Sequence, residues 1–394
     1  MVLKRIVLKN FRNYRDQEII FNDKFNFIVG NNGHGKTNIL EGISFTTFGK
    51  SFLGSSEFDC LKFGENEFVI NSEFENDLDN RDSLILSYSS VAKSKSIHLN
   101  REKVSAFSSQ IFGRFPFVFL SPKSLSITYG NPSDRRKFFD ILISQTSRLY
   151  LDYLKDLAKI LKQKNALLKN YSLYKKYSQS EMTDLLHSYN EKLADVSSHI
   201  IFKRLNFLNE FRIFCDKNFS FLLLKWQKGF INYFSEVFGE IGIDNVDMDL
   251  DFIKEKLDKF ISEKFDDEVS RAICLAGPHR DDYVFKMSKR NSKEEIFELK
   301  NFASQGEHKT FLVALKLSEY DYLKDRKSTN PILLLDDILS ELDENRVSKI
   351  ISHLKDYGQI FLTTTDKSYT ENLKEFYSKD EISVFEIENG VVVK

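Results

Sequence analysis

Cysteine is scarce. Cys60, Cys215 and Cys274 are odd in number and widely separated, which excludes a disulfide framework and offers no zinc-ligand spacing. Buried free thiols are the expectation. Long apolar runs are absent too: none approaches the roughly 18 residues of a membrane span. The first residues have neither signal nor transit character, so a cytoplasmic protein without membrane contact is expected. Charge of one sign is not in excess, with 57 Lys and Arg against 58 Asp and Glu and a net charge of −1. No global basic field advertises nucleic acid, and any DNA contact must use local patches. Proline (5) is rare and phenylalanine (37) abundant, a bias with no functional content. With 394 residues and 41% of them hydrophobic, the chain can build one large domain or about two to three ordinary ones.

What is present begins with Phe27-Ile-Val-Gly-Asn-Asn-Gly-His-Gly-Lys-Thr-Asn38, a short apolar run that empties into a glycine-rich loop. It fits GxxxxGK[ST]. Gly30, Gly33 and Gly35 let the backbone bend so that the N–H groups of the loop, including Asn31, Asn32 and Asn38, face an anion. Lys36 would reach the β- and γ-phosphates, and Thr37 would offer a hydroxyl to Mg²⁺. His34 reads as a solvent-facing position within the loop. The context that the motif needs is there: Phe25, Phe27 and Val29 alternate as a strand, and Ile39, Leu40 and Ile43 recur at helical spacing before Gly49. A nucleoside triphosphate is the expected ligand.

Before the loop, Leu3–Leu8 and Gln17–Phe21 read as strands around Asn10-Phe-Arg-Asn-Tyr14, where Arg12 could lean on a phosphate. After it, Phe68–Phe74, Ser83–Tyr88 and Ser96–Leu99 suggest antiparallel strands, and Phe115–Leu120 another buried strand. From about 134 to 270 the texture is helical. Leu185, Tyr189, Leu193, Val196, Ile200, Leu208 and Phe211 could line one face of a bundle core, without a sustained heptad. Arg135, Arg136, Lys203 and Arg204 are the candidates for DNA phosphate contact. Further on, Asn330-Pro-Ile-Leu-Leu-Leu-Asp-Asp337 is a buried parallel strand that delivers two carboxylates at its C-terminal end. In this Walker B reading Asp336 holds Mg²⁺ and Asp337 orients or deprotonates the attacking water. Gln359–Asp366 repeats the strand-then-polar pattern.

Several segments together carry a family resemblance. They are Lys9-Asn-Phe-Arg-Asn-Tyr14, the loop with Leu40-Glu41, Asp134-Arg-Arg-Lys-Phe-Phe-Asp140, Gln163-Lys-Asn-Ala-Leu-Leu168, Gly277-Pro-His-Arg-Asp-Asp282, Ala303-Ser-Gln-Gly-Glu307, Leu335–Asp343 and Thr363-Thr-Thr-Asp366. On these the chain resembles the RecF family of bacterial recombination mediators, ATP-binding-cassette ATPases related to the SMC and Rad50 proteins. The resemblance spans nearly the whole length. It implies an α/β P-loop head, with a mixed sheet plus antiparallel strands, made from residues 1–133 and 271–394 around a helical arm at 134–270. It also implies a head-to-tail dimer formed on ATP. Ser304, Gln305, Gly306 and Glu307 would be a signature motif touching the γ-phosphate held by the other protomer, and Ser340–Asp343 a D-loop, with Asp343 at the site. Lys36 and Asp337 would be catalytic in a weak, DNA-stimulated hydrolysis that serves as a switch. Such proteins bind gapped DNA at junctions of single and double strands and, with RecR and RecO, help to load RecA in repair and replication restart.

Three positions depart from the family pattern. Lys123 stands where an acidic residue is common, Leu53 where arginine is frequent, and Thr365 where the wider superfamily has its switch histidine. A P-loop kinase or GTPase would leave Ala303–Glu307 idle, and a transporter ATPase would leave the helical insertion unexplained. An SMC-like tether needs longer coiled coils than an insertion of about 135 residues provides.

Overall fold

The computed structural model describes residues 1–174, 179–224, 226–242, 248–288, 296–338, 344–369, 373 and 376–393. The chain forms two compact units, one of Met1–Leu125 with Leu312–Lys394 and the other of Ser126–Phe311.

The first unit holds two sheets. One joins β1 (Val2–Phe11), β2 (Tyr14–Ile20), β4 (Glu67–Glu75), β5 (Arg81–Ser89), β6 (Ser94–Leu99) and β7 (Glu102–Lys103) in the order β2-β1-β4-β5-β6-β7, antiparallel throughout. In β4, Phe68, Ile70, Ser72 and Phe74 are buried and their neighbours are not, the period of two of a sheet with one face on a core. The other sheet joins β3 (Phe25–Val29), β8 (Phe117–Leu120), β13 (Ile332–Asp336), β14 (Ile360–Thr364), β15 (Ile382–Glu388) and β16 (Val391–Val392). Its order is β16-β15-β3-β14-β13-β8, and only β16 runs antiparallel. Every residue of β3, β13 and β14 is buried, as inner parallel strands require. One apolar core takes Leu3, Ile6 and Leu8 of β1, Phe68 and Ile70 of β4, Ile332 and Leu334 of β13, and Ile39, Leu40 and Ile43 of α1 (Lys36–Phe48). Buried Gln359 ties the two sheets by accepting from Leu3 N–H at 2.7 Å and donating to Leu3 O and Asn22 O, each at 2.8 Å. The short α2 (Phe107–Gln110) and α11 (Glu344–Leu354) complete this unit, with most of α10 (Gln305–Lys327).

The second unit begins with α3 (Ser126–Tyr129) and α4 (Pro132–Thr146). Pro at N1 and the reciprocal Asn131–Asp134 capping box fix the start of α4. Two long helices follow, α5 (Arg148–Tyr174) and α6 (Gln179–Leu222), then α7 (Leu250–Glu263) and α8 (Phe265–Arg271). A four-stranded antiparallel sheet joins β9 (Lys228–Ser235), β10 (Gly239–Ile241), β11 (Asp282–Ser288) and β12 (Ile296–Glu298) in the order β10-β9-β11-β12. The short α9 (Leu299–Phe302) leads to the start of α10.

Two expectations are corrected here. The stretch 134–270 is not wholly helical, because Lys228–Ser235 forms a strand that alternates in burial, with residues 228–234 paired one by one with β11. On α6, Leu185 is 39% exposed and Leu186 is buried, whereas Leu193, Ile200, Leu208 and Phe211 are buried as expected. The buried seam runs through Met182, Leu186, Leu193, Ser197, Ile201, Arg204, Leu208 and Phe211. Two polar members disguise it in the sequence. The three cysteines are free and buried, and among the described residues no helix is long and apolar enough to cross a membrane.

Candidate nucleotide site

The glycine-rich loop leaves the C-terminal end of β3 and enters α1. Gly35 begins that helix with φ 113°, in the left-handed region that side chains avoid. A Cβ there would lie 2.5 Å from Asn13 Nδ2. The turn of the β1–β2 hairpin presses against the loop: Asn13 Nδ2 donates to His34 O at 2.7 Å, Tyr14 Oη to Gly35 O at 3.0 Å, and Asn38 Nδ2 to Asn13 Oδ1 at 2.9 Å. Beside Asn13, Gly390 N–H donates to the same His34 O at 2.9 Å. Three of these bonds end on the loop carbonyls of His34 and Gly35. The Lys9–Tyr14 segment and the last hairpin thus brace the loop's back. His34 is half-buried with Nδ1 3.2 Å from Ile387 O, so it is not the solvent-facing position expected. Asn31, Asn32 and Gly33 are exposed.

Lys36 Nζ donates to Gly30 O at 2.7 Å and Asn31 O at 3.0 Å. Burial lowers its pKa from the ordinary value, and the charges of Asp337 and Asp336 oppose that effect. Asp336, last residue of β13, accepts from Thr363 Oγ1 at 2.7 Å and Thr37 Oγ1 at 2.8 Å through one oxygen, Oδ1. Burial raises its carboxyl pKa, the two hydroxyl bonds lower it, and Asp337 pushes it up again. Asp337 sits in the left-handed region at φ 49°, with its N–H donating to Thr363 O and Oγ1, each at 3.1 Å.

The donor set suits Mg²⁺, a hard ion that takes few protein oxygens and completes its shell with phosphate and water. A hydroxyl and a carboxylate already touch at Thr37 and Asp336. Among the described residues no group of three or more His, Cys, Asp and Glu side chains converges, so an ion here would depend on the nucleotide's own oxygens.

Arg12 is held elsewhere. Its Nε and Nη2 form a bidentate pair with Glu41 at 2.7 and 2.8 Å, Nη1 donates to Asp59 O and Nη2 to Ser55 Oγ. Glu41 is fully buried and also accepts from Ser51 Oγ. Cys60 lies against the same carboxylate, and burial pushes its thiol up to about 12. The guanidinium is the counter-charge that a buried Glu41 requires.

Ser304 is the N-cap of α10. Its N–H and Oγ donate to Glu307 Oε2 at 2.8 and 2.9 Å, and Glu307 N–H returns a bond to Ser304 Oγ at 3.3 Å. This is a capping box. Gln305 and Gly306 open the helix behind it, and Asp343 lies outside the described residues.

Of the four basic candidates for DNA, two are interior. Arg135 is 5% exposed and bidentate with Asp282 at 2.8 and 2.7 Å. Arg204 is 1% exposed, pairs with both oxygens of Asp140 at 2.9 and 3.1 Å and donates to Pro278 O and Tyr150 Oη. These two are corrected from surface contacts to internal counter-ions. Arg136 is half-buried and donates to Asp281 O, while Lys203 is half-buried. In the sequence Thr363 and Glu41 stand only as motif members without a role and Gln227 carries no signal, since nothing local marks the Asp336, Arg12 and Glu307 side chains that they meet.

A phosphate loop and an acid-bearing strand in one parallel sheet, backed by an antiparallel sheet, define an ATPase head of the ATP-binding-cassette type. The family described as RecF/RecN/SMC N terminal domain matches residues 2–391. The "DNA replication and repair protein RecF" of Chloroherpeton thalassium is 34% identical over 381 residues, covering 95% of this chain and 98% of its own. That of Streptococcus gordonii is 32% identical with 99% of each covered. The chain belongs to the RecF family. Among solved structures, that of "the recombination mediator protein RecF-ATPrS in RecFOR pathway" is similar with a TM-score of 0.83 at 30% identity, over 99% of this chain and 97% of that one. The Smc head domain from Pyrococcus furiosus has a TM-score of 0.56 at 15% identity, a likeness of fold alone.

Proposed function

We propose that this chain is an ATP-dependent, DNA-binding recombination mediator of the cytoplasm. In this reading Gly30–Asn38 cradle the triphosphate, with backbone N–H groups and Lys36 meeting the β- and γ-phosphates. Thr37 and Asp336 would hold Mg²⁺, which when bound supplies charge neutralisation on the phosphates. Asp337 orients and accepts a proton from the attacking water. Ser304, Gln305 and Gly306 offer a hydroxyl and helix N-terminal N–H groups to the γ-phosphate of a second protomer, and Asp343 is proposed for the same composite site. Arg12 acts at one remove, by neutralising the buried Glu41 of α1. The ATP-bound dimer engages gapped DNA at single- and double-strand junctions and, with RecR and RecO, promotes RecA loading. Slow, DNA-stimulated hydrolysis releases it.

The observation that carries the reading is the carboxylate of Asp336 bonded to both Thr37 and Thr363 in the sheet that presents Lys36. The solved relatives named as RecF-ATP and RecF-ATPrS in the RecFOR pathway support ATP as the nucleotide and the choice of partners. Lys36→Ala removes the one formal positive charge that the loop brings to the phosphates. Affinity for a fluorescent ATP analogue is expected to fall about 100-fold or more, the loss of a charge-assisted contact of roughly 3 kcal/mol. Unchanged affinity would show the loop to be structural.

A further inference from the structure

The capping box at Ser304 does not stand alone. Glu307 gives one oxygen to Ser304, and its other, Oε1, accepts from Gln227 Nε2 at 2.8 Å. Gln227 is 8% exposed and lies in the turn between α6 and β9. It is held on both sides: Leu224 N–H donates to its Oε1 at 3.3 Å, and its own N–H donates to Leu224 O at 2.8 Å. The turn is fastened to the same helix a second time, where Phe219 of α6 packs on Phe311 of α10 with ring centroids 4.6 Å apart. A Cβ on Gly229 would fall 2.7 Å from the Phe219 ring, so glycine at that position lets β9 pass close beneath it. Gln227, Phe219, Gly229 and Phe311 all lie outside the signature segment Ala303–Glu307, and Gln227 lies in no motif.

The geometry points to Gln227 as a positioning residue for Ser304. The Ser304 bonds engage Oε2 of Glu307, and Gln227 engages the other oxygen, so the plane of the carboxylate that the serine hydroxyl and first N–H group face is fixed from both ends. Anchored through Gln227, the carboxylate has one place, and the anion-binding end of α10 is set before a phosphate arrives. The foot of the 44-residue helix α6 is thereby wired to the motif, so a load on the helical arm alters how Ser304 is presented. This inference rests on the proposed role of Ser304 in a second protomer's ATP site.

The test exchanges the two groups. Gln227→Glu sets two carboxylates against each other, and Gln227→Glu combined with Glu307→Gln restores a donor and an acceptor in reversed order, since glutamine also serves at the third position of a capping box. ATP-induced dimerisation is followed by sedimentation, and monomer ATP affinity by a fluorescent analogue. Dimerisation of the single variant is expected to weaken about tenfold, as for loss of one charge-assisted bond, with recovery in the exchanged pair and monomer affinity unmoved in both. If Gln227→Glu does not fold, Gln227→Met removes the donor while keeping the length, and the same weakening is expected. Wild-type dimerisation by the folded single variant overturns the inference. So does a loss that the exchange fails to restore, which would mark a merely structural residue. Ser304→Arg separates this from the parent reading: if it dimerises normally, the composite site itself is wrong, whereas failure of Ser304→Arg with normal Gln227→Glu sinks only the role of Gln227.

Discussion

Thr37 Oγ1 donates to Asp336 Oδ1 at 2.8 Å across 299 positions of chain. Thr363 binds the same oxygen, so the phosphate loop and the ends of β13 and β14 are tied to one atom. The bond couples the two ends of the sequence at the point where the chemistry is placed.

Asp336 is engaged in that way, and in the proposed mechanism Asp337 is the acid that orients the attacking water. Asp337→Asn is expected to bind ATP within about threefold of wild type while turnover drops by roughly 100-fold or more, the usual scale for general-base loss. The dimer should accumulate. Equal turnover in single-cycle hydrolysis would move the catalytic role to another residue.

For Ser304→Arg the cap alone accounts for about 1 kcal/mol of stability. Beyond that small loss, each monomer should fold and bind ATP normally, yet sediment as a monomer when ATP is added. An isologous pair uses the motif twice, so one substitution harms both sites. Normal ATP-induced dimerisation would reduce Ser304 to a helix cap.

Neighbouring basic residues should separate cleanly. Arg204→Lys cannot keep the bidentate bond to Asp140 together with the bond to Pro278 O, and leaves buried Asp281, 3.8 Å away, poorly compensated. A stability loss of about 3–5 kcal/mol is expected from urea unfolding. Lys203→Gln should leave the urea midpoint in place, and if Lys203 meets a phosphate it lowers the slope of log affinity against log salt by about one. Reversed outcomes would place Arg204 at the DNA and Lys203 in the fold.

His279 gives a pH signature. Burial holds its pKa down to about 4, with the Cys274 backbone opposing and Arg280 and Arg136 adding to the depression. As pH falls, the unfolded chain takes up the proton near the ordinary 6.5, and the folded one only near 4. This contribution is therefore complete above about pH 6.5 and is lost on acidification toward pH 4, by up to about 3 kcal/mol. The difference in urea stability between wild type and His279→Gln should shrink across that window. Parallel pH profiles would show that His279 titrates normally.

The loop and the Asp336–Asp337 pair were legible because their chemistry is local: a strand, a bend and a helix start are written in about a dozen consecutive residues. Glu41 was visible as a motif residue, but its dependence on Arg12 was not, since an exposed loop arginine and a buried counter-ion look alike in one dimension. Arg204 misled for the same reason: its acid Asp140 is 64 positions away, and a basic pair on a helix reads as a surface. Leu185 and Leu186 differ by one step of 100°, too fine for periodicity to resolve when Ser197 and Arg204 interrupt the apolar seam.

Strand β3 is flanked by β14 on one edge and β15 on the other, both supplied by the far end of the chain. On the ribosome the antiparallel sheet can close once residues 1–103 have emerged, from the β1–β2 hairpin and the β4–β7 meander joined through β1 and β4. The apolar strand β3 cannot, and at about 5–20 residues per second it waits some tens of seconds for residues beyond 330. Until then its open edges invite pairing with other nascent chains. Premature termination within the second unit would therefore yield an aggregating fragment rather than a half-active head.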